Sequence, residues 1–444
     1  MHLWASFRES NKDIRLLWAS VFARMCGFGL TNQVLVLYLE LIGVEESKIG
    51  LFMTLTLWGD TFISYLLTWY AEAIGRRRVM VMGTIMMMGS GLVFASCSNY
   101  VLLVLAAILG VISPSGDETG PFKSVEEASI AHLTPHNHRP EIFAIYGLFG
   151  TAGAAMGSIT AGFVVDHLSK SLAWSLESCY RWVFIIYAGI SVLKLVFMLA
   201  LSEKCEISDD DEDEEEDEIT DESSSLLPSE TPATSQKGSL GLSLQTQHYL
   251  PRLLIIFMLD SFGYGLFPSA WVVYYFKKVF KVTASGLGLL FFCTNAIDAI
   301  SSLPSAFFAK LLGPVKAILF TQAPSAVLFM MITFTSEFWV AALLYFANCA
   351  TSTMDVVPRQ ILLTSIVQKN ELTKVMGVVN IGKTFARSIG PLFTGKLAEH
   401  PGALKYGFVM NASCVLLADL ILATNFLQKD SLIKKQQSKH QQIQ

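Results

Sequence analysis

Apolar residues fall along this chain in runs of roughly 20, the length one helix needs to cross a hydrocarbon core about 30 Å thick. The runs cover residues 14–38, 49–70, 79–98, 101–122, 141–165 and 181–201, then 252–276, 285–308, 314–334, 338–362, 373–397 and 405–427. A helix satisfies its own backbone polar groups, so it can span a bilayer singly. The pattern predicts an all-α membrane protein of about twelve transmembrane helices. The fifth and eleventh runs are rich in glycine and less apolar, so hydropathy fixes their ends poorly. The first run is too long for a signal peptide and lacks a small-residue cleavage site, so it is expected to remain as the first span.

One long polar segment, 205–249, separates the two sets of six. Its residues 209–222 hold twelve acids and no base, and a Ser/Thr/Pro/Gly stretch continues to Gly241. Such a segment cannot bury enough apolar surface to fold. The expected organisation is a six-helix bundle at 1–204, a disordered acidic linker at 205–249, a second six-helix bundle at 250–428 and a polar tail at 429–444. The halves repeat weakly but in register. Arg24-Met-Cys-Gly27-Phe-Gly29-Leu30 parallels Asp260-Ser-Phe-Gly263-Tyr-Gly265-Leu266, and Asp60 parallels Asp298. Further on, Gly157, Gly162 and His167 parallel Gly390, Gly395 and His400.

Composition sharpens this picture. The chain is 52% hydrophobic and 16% charged, against about 25% charged for a soluble domain. The net charge of −5 hides two unlike parts, because without the twelve linker acids the remainder carries +7. Arg8, Lys12 and Arg15 precede the first span, Arg76, Arg77 and Arg78 follow the second, and Lys429, Lys434, Lys435 and Lys439 close the tail. Basic residues favour the inner side, so both termini are expected in the cytosol. Lys277, Lys278 and Lys281, between the seventh and eighth spans, run against that bias. The seven cysteines form no CxxC or disulfide framework. Asn411-Ala-Ser413 fits the glycosylation pattern but lies inside a span. There is no P-loop, Gly-x-Ser-x-Gly or HExxH, so nothing points to ATP driving, hydrolysis or any other enzyme. No cofactor, metal or nucleic-acid partner is expected.

An ionisable residue at mid-membrane costs about 2.5–3.5 kcal/mol on insertion scales, so each needs a reason. Arg24 and Asp260 lie at similar depths, roughly 15 and 12 Å into their spans. They read as a pair facing one cavity that opens and closes as solute or proton arrives, as a fixed structural ion pair, or as two residues contacting only cavity water. Ser113-Pro114-Ser115-Gly116-Asp117-Glu118-Thr119-Gly120-Pro121 should interrupt the fourth span. Asp117 and Glu118 sit in that break, where mutual repulsion suits a proton carrier, or they are solvated at the inner surface. Asp60 and Asp298 are the symmetric carboxylates of the second and eighth spans. They read as proton-exchange sites or as hydrogen bonds across the pseudo-twofold. Asp355 and Arg359 are four apart on one helical face and read as a structural pair. Lys194, Arg387 and Asp419 are compatible with snorkelling to an interface and receive no role.

The loop after the second span, Glu72-Ala-Ile-Gly75-Arg76-Arg77-Arg78, resembles the motif of the major facilitator superfamily at this place. Two positions depart: Thr68 stands for its first glycine and Ala73 for its first base. The resemblance implies two six-helix bundles with the substrate site between them near mid-membrane. It also implies a cytoplasmic latch, in which Glu72 caps the eleventh span while Arg76, Arg77 and Arg78 pair with Glu126 and Glu127. Gly153-Ala-Ala-Met-Gly157-Ser158-Ile-Thr-Ala161-Gly162 resembles the superfamily's exporter motif without its proline. Gly120-Pro121-Phe122, with Glu126 beyond, resembles an uncharacterised fungal and bacterial branch.

In the linker, Glu222-Ser-Ser-Ser-Leu226-Leu227 fits an acidic dileucine sorting signal. Adaptor coats are the expected readers, and a vacuolar or lysosomal membrane is favoured over the plasma membrane. Together these features lead to the expectation of a secondary carrier of a small polar organic solute, coupled to protons and working by alternating access. A membrane sensor or scaffold derived from such a carrier is the alternative.

Overall fold

The computed structural model describes residues 10–110, 112–113, 121–134, 138–205, 243–367 and 371–429. The first half contains α1 (Lys12–Leu41), α2 (Glu46–Trp69), α3 (Arg76–Ser96), α4a (Tyr100–Gly110), α4b (Pro121–Leu133), α5 (Arg139–Lys170) and α6 (Leu176–Leu199). The second contains α7a (Leu244–Leu266), α7b (Ser269–Phe280), α8a (Ala284–Ser301), α8b (Ser305–Leu312) and α9 (Pro314–Met331). It continues with α10a (Phe338–Ser352), α10b (Val356–Ile366), α11 (Leu372–Ala398) and α12 (Tyr406–Phe426).

Ten helical stretches among the described residues are long and apolar enough to cross a membrane. The fourth and eleventh spans complete the set of twelve, and their sequences explain why hydropathy alone passes over them. The fourth is split into α4a and α4b around a segment rich in proline and glycine. α11 carries Lys374, Lys383, Arg387 and Lys396 among its apolar residues. The seventh run is also broken, which hydropathy did not reveal. Pro268 has no backbone N–H and disfavours helix at the residue before it; Phe267 accordingly leaves the helical region at φ −136°, ψ 68°. Residues 206–242 of the expected linker, with Glu222, Leu226 and Leu227, and the proposed proton carriers Asp117 and Glu118 lie outside the described residues; the linker's expected end at 249 is too late, because Ser243 caps α7a and the helix runs from Leu244.

The halves pack by one plan. α1 lies on α5 and α6, as α7a lies on α11 and α12, and the α3–α6 contact corresponds to α9–α12. Between the halves, α5 meets α8a just as α11 meets α2. The paired glycines sit at these contacts. A Cβ on Gly157 would run into the Cys26 carbonyl of α1, and one on Gly390 into the Gly265 backbone of α7a. One on Gly162 would meet Ala284 of α8a, and one on Gly395 the Glu46 carbonyl of α2, 2.7 Å away. Small residues at such spacing let helix backbones approach closely.

The apolar core is asymmetric along the spans. One buried cluster joins the halves through Leu35, Tyr38, Phe52, Trp271, Phe276, Phe291 and Phe408. It belongs to the face opposite the termini. Nearer the termini each half keeps its own cluster, around Trp18, Val79 and Tyr146 in the first and around Phe257, Ile318 and Leu422 in the second.

Candidate functional site

A cavity of about 420 Å³ lies between the halves. α1 and α5 contribute Met25, Phe28, Thr151 and Ser158 to its wall. The second half contributes Tyr264, Thr294, Asn295, Asp298, Ser325, Asn348, Arg387 and Asn411. Amides, hydroxyls and one charge of each sign therefore face an otherwise aromatic and aliphatic chamber. Asn348 Nδ2 donates to Ser325 Oγ at 2.8 Å, and Asn411 Nδ2 to the Gly263 carbonyl at 2.8 Å, which fixes both amides. The second bond also occupies the asparagine of the glycosylation pattern inside the bundle. Asn32 and Ser269 both line the cavity and are joined by a hydrogen bond of 3.0 Å from Ser269 Oγ.

Polar links between the halves gather beyond that bond, towards the face opposite the termini. Lys278 Nζ meets Glu40 at 3.0 Å and Glu46 at 3.4 Å, and Tyr274 donates to Glu40 at 2.8 Å. Of the three lysines that ran against the charge bias, Lys278 is thus balanced by two acids. Asp166 at the end of α5 accepts from the backbone N–H groups of Ala284 and Ser285, at 3.3 and 3.1 Å, and from the Ser285 hydroxyl. A carboxylate there satisfies unpaired amides and the positive end of the α8a dipole. Nearer the middle, Trp58 of α2 stacks on Phe385 of α11 and donates to Ser388.

The buried charges are arranged otherwise than the repeat suggested. Arg24 and Asp260 do not pair across the cavity; each is taken by a partner in its own half, where packed helices bring opposite charges into direct contact. Arg24 Nη2 meets Glu126 at 2.9 Å and Tyr146 at 3.0 Å. Lys194 Nζ reaches the other oxygen of Glu126 at 3.1 Å, and Ser20 donates to it at 2.7 Å. Glu126 and Lys194 are fully buried. This corrects two expectations. Glu126 is not a surface partner of Arg76–Arg78, because its carboxylate points into the bundle, and Lys194 does not snorkel.

In the second half, Asp260 accepts from Gln322 and pairs with Arg359 at 2.5 Å. Arg359 also pairs with Asp355 at 2.5 Å, so the pair expected from the i, i+4 spacing exists within a larger cluster. Asp419 of α12 lies beside it, buried. Asp60 is buried in α2 and is not among the residues lining the cavity.

Around the expected latch, Gly75 adopts φ 102°, a backbone region open to glycine, and turns the chain into α3. Arg76 donates to the Ala128 carbonyl at 3.5 Å, Arg77 to Leu199 at 2.6 Å and Arg78 to Ile74 at 3.4 Å. Glu72 lies on the short helix Ala71–Ile74, and Glu127 on α4b.

Sequence reasoning missed Lys194, Asp419, Gln322, Tyr146 and Asp166. For Lys194 and Asp419 the signal was present, since each is an ionisable residue within the last apolar run of its half.

The chain belongs to the major facilitator superfamily, whose model matches residues 17–240 and 253–443. It is 48% identical over 447 residues to an uncharacterized membrane protein of Saccharomyces cerevisiae, covering 99% of each chain. It is also 23% identical over 191 residues to the quinolone resistance protein NorA of Staphylococcus aureus, which is 43% of this chain and 45% of that protein. Among solved structures, a D-xylose–proton symporter superposes with a TM-score of 0.71 at 15% identity, over 93% of this chain and 97% of the other. A bacterial homologue of the human lysosomal transporter Spinster, in an inward-facing and unoccupied conformation, gives 0.70 at 13% identity, over 95% and 99%. These likenesses concern the fold.

Proposed function

We propose that this chain is a secondary active carrier of a small polar organic solute, driven by a proton gradient through alternating access. The observation that carries the reading is the cavity between the halves, where Asp298 and Arg387 face the same space among amides and hydroxyls. Its volume suits a small molecule. Opposite charges in one chamber favour a solute with both an acidic and a basic group, or one rich in hydroxyls. The polar and apolar links opposite the termini act as the closed gate in this reading, with the other side open to the cytosol. Rocking of the halves would break the Asp166 and Lys278 contacts and expose the cavity to the opposite side.

The test is uptake into proteoliposomes of pooled polar metabolites, with and without an imposed pH gradient. Gradient-dependent uptake that falls at least tenfold in Asp298→Asn or Arg387→Gln supports the reading. Correctly folded protein that moves no pool would overturn it in favour of a sensor. We place the carrier in the vacuolar or lysosomal membrane on the strength of the acidic dileucine run.

A further inference from the structure

The two buried charge clusters occupy corresponding helices with every sign reversed. In the first half, Arg24 on α1, Glu126 on α4b and Lys194 on α6 run plus, minus, plus. In the second, Asp260 on α7a, Arg359 on α10b and Asp419 on α12 run minus, plus, minus. The first cluster is closed, because Glu126 meets both cations. The second is not. Arg359 is engaged by Asp260 and by the additional carboxylate of Asp355. Asp419 is only 5% exposed, and among the described residues no donor reaches its Oδ2. Asp419 lines a void of about 10 Å³ together with Asp260, Gln322 and Arg359, and apolar side chains from Leu253 to Leu422 make up the rest of its wall. It is about the smallest space that holds one water.

We propose that Asp419 is a proton-binding residue of this chain, its proton held in the void shared with Asp260, Gln322 and Arg359. A buried carboxylate without a counter-charge is strongly disfavoured, and this cluster sets three carboxylates against one guanidinium. The charges acting on Asp419 are Arg359, Asp260 and Asp355. α9 presents the neutral Gln322. The guanidinium keeps its proton, so neutralisation falls to a carboxyl. Asp260 and Asp355 already hold the cation, which leaves Asp419. The void excludes an organic solute or a hydrated metal ion. On loading, an O–H bond of a hydronium ion breaks and an O–H bond forms on Asp419, leaving water. Release reverses this when Arg359 turns from Asp260 to Asp419. Tyr264, one turn along α7a from Asp260, lines the solute cavity. That places the proton site next to the solute site but not in it.

The part Asp419 plays in transport rests on the proposed carrier function, but its proton occupancy does not. Infrared difference spectra of the purified full chain separate the two, because they need no solute. The C=O stretch of a protonated carboxyl, followed from acid to alkaline pH, is expected in the native protein and in Asp298→Asn, and lost in Asp419→Asn. A band unchanged in Asp419→Asn, or lost in Asp298→Asn instead, overturns the assignment. Should Asp419→Asn fail to fold, Asp419→Glu decides: a displaced band supports the assignment and an undisplaced one refutes it. Failure of all gradient-driven uptake would refute the carrier while leaving this spectral result to stand.

Discussion

Replacing Glu126 by glutamine tests whether one carboxylate holds the first bundle together. The side chain accepts from Ser20, Arg24, Tyr146 and Lys194 at 2.7 to 3.1 Å, and none of its surface is exposed. Glutamine keeps the volume, removes the charge and turns an N–H₂ towards existing donors. Two cations are then left without their anion. Breaking a buried pair costs about 3–5 kcal/mol. Lys194 can shed its proton whereas Arg24 cannot, so the total should stay near that range instead of doubling. At about 2–4 °C per kcal/mol for a unit of this half's size, melting in detergent should fall by about 6–20 °C. Lys194→Met should cost less, because Arg24 and Glu126 remain matched one to one; a lost charged hydrogen bond is worth about 1.5–3 kcal/mol. The double variant Glu126→Gln/Lys194→Met should recover part of the loss, since only one unmatched cation remains. A melting point for Glu126→Gln within about 2 °C of native, under 1 kcal/mol on this scale, would refute the reasoning. So would a double variant worse than Glu126→Gln alone.

Asp166→Asn should weaken closure of the face opposite the termini by about 1–2 kcal/mol, a shift of about five- to thirtyfold in the closed-to-open ratio. Faster maleimide labelling of Ser269→Cys in a cysteine-free chain would report it, and an unchanged rate would count against the gate. Gly50→Val should push α2 from α11, because a Cβ there runs into the Pro391 carbonyl and lies 2.9 Å from Gly395 Cα. Overpacking of this kind costs about 1–3 kcal/mol, read as a lower melting point and a longer spin-label distance between the two helices. Gly89→Val, where an added Cβ meets nothing within 4 Å beyond its own turn of helix, should change the melting point little. Leu226→Ala with Leu227→Ala should move a fluorescently tagged chain from the vacuolar or lysosomal membrane to the cell surface; unaltered placement would remove the sorting role.

The repeat and the motif around Gly75 carried the fold a long way. Twelve runs, a division into two sets of six and the glycine register were all legible, because each depends on local composition or on spacing along one helix. The register even located the paired close approaches of Gly157 and Gly390, where only a missing side chain lets backbones meet. The break in the seventh span was overlooked, because a single Pro268 sufficed to make it.

Partner choice among the buried charges was not legible. Arg24 and Asp260 lie at matching depths, so depth alone suggested that they pair. Tertiary packing decided otherwise, by setting α4b and α6 against α1 and thereby offering Glu126 to two cations. Asp355 and Arg359 were readable because four residues on one helix fix their separation. Lys194 and Asp419 were not, because whether a charge near a helix end reaches the surface or turns inward depends on which neighbour covers it. The sequence by itself determined how many helices there are, how they repeat and which residues carry charge at depth. Only the tertiary structure decided which of those charges meet, which two face the cavity, and that one carboxylate, Asp419, was left beside a void.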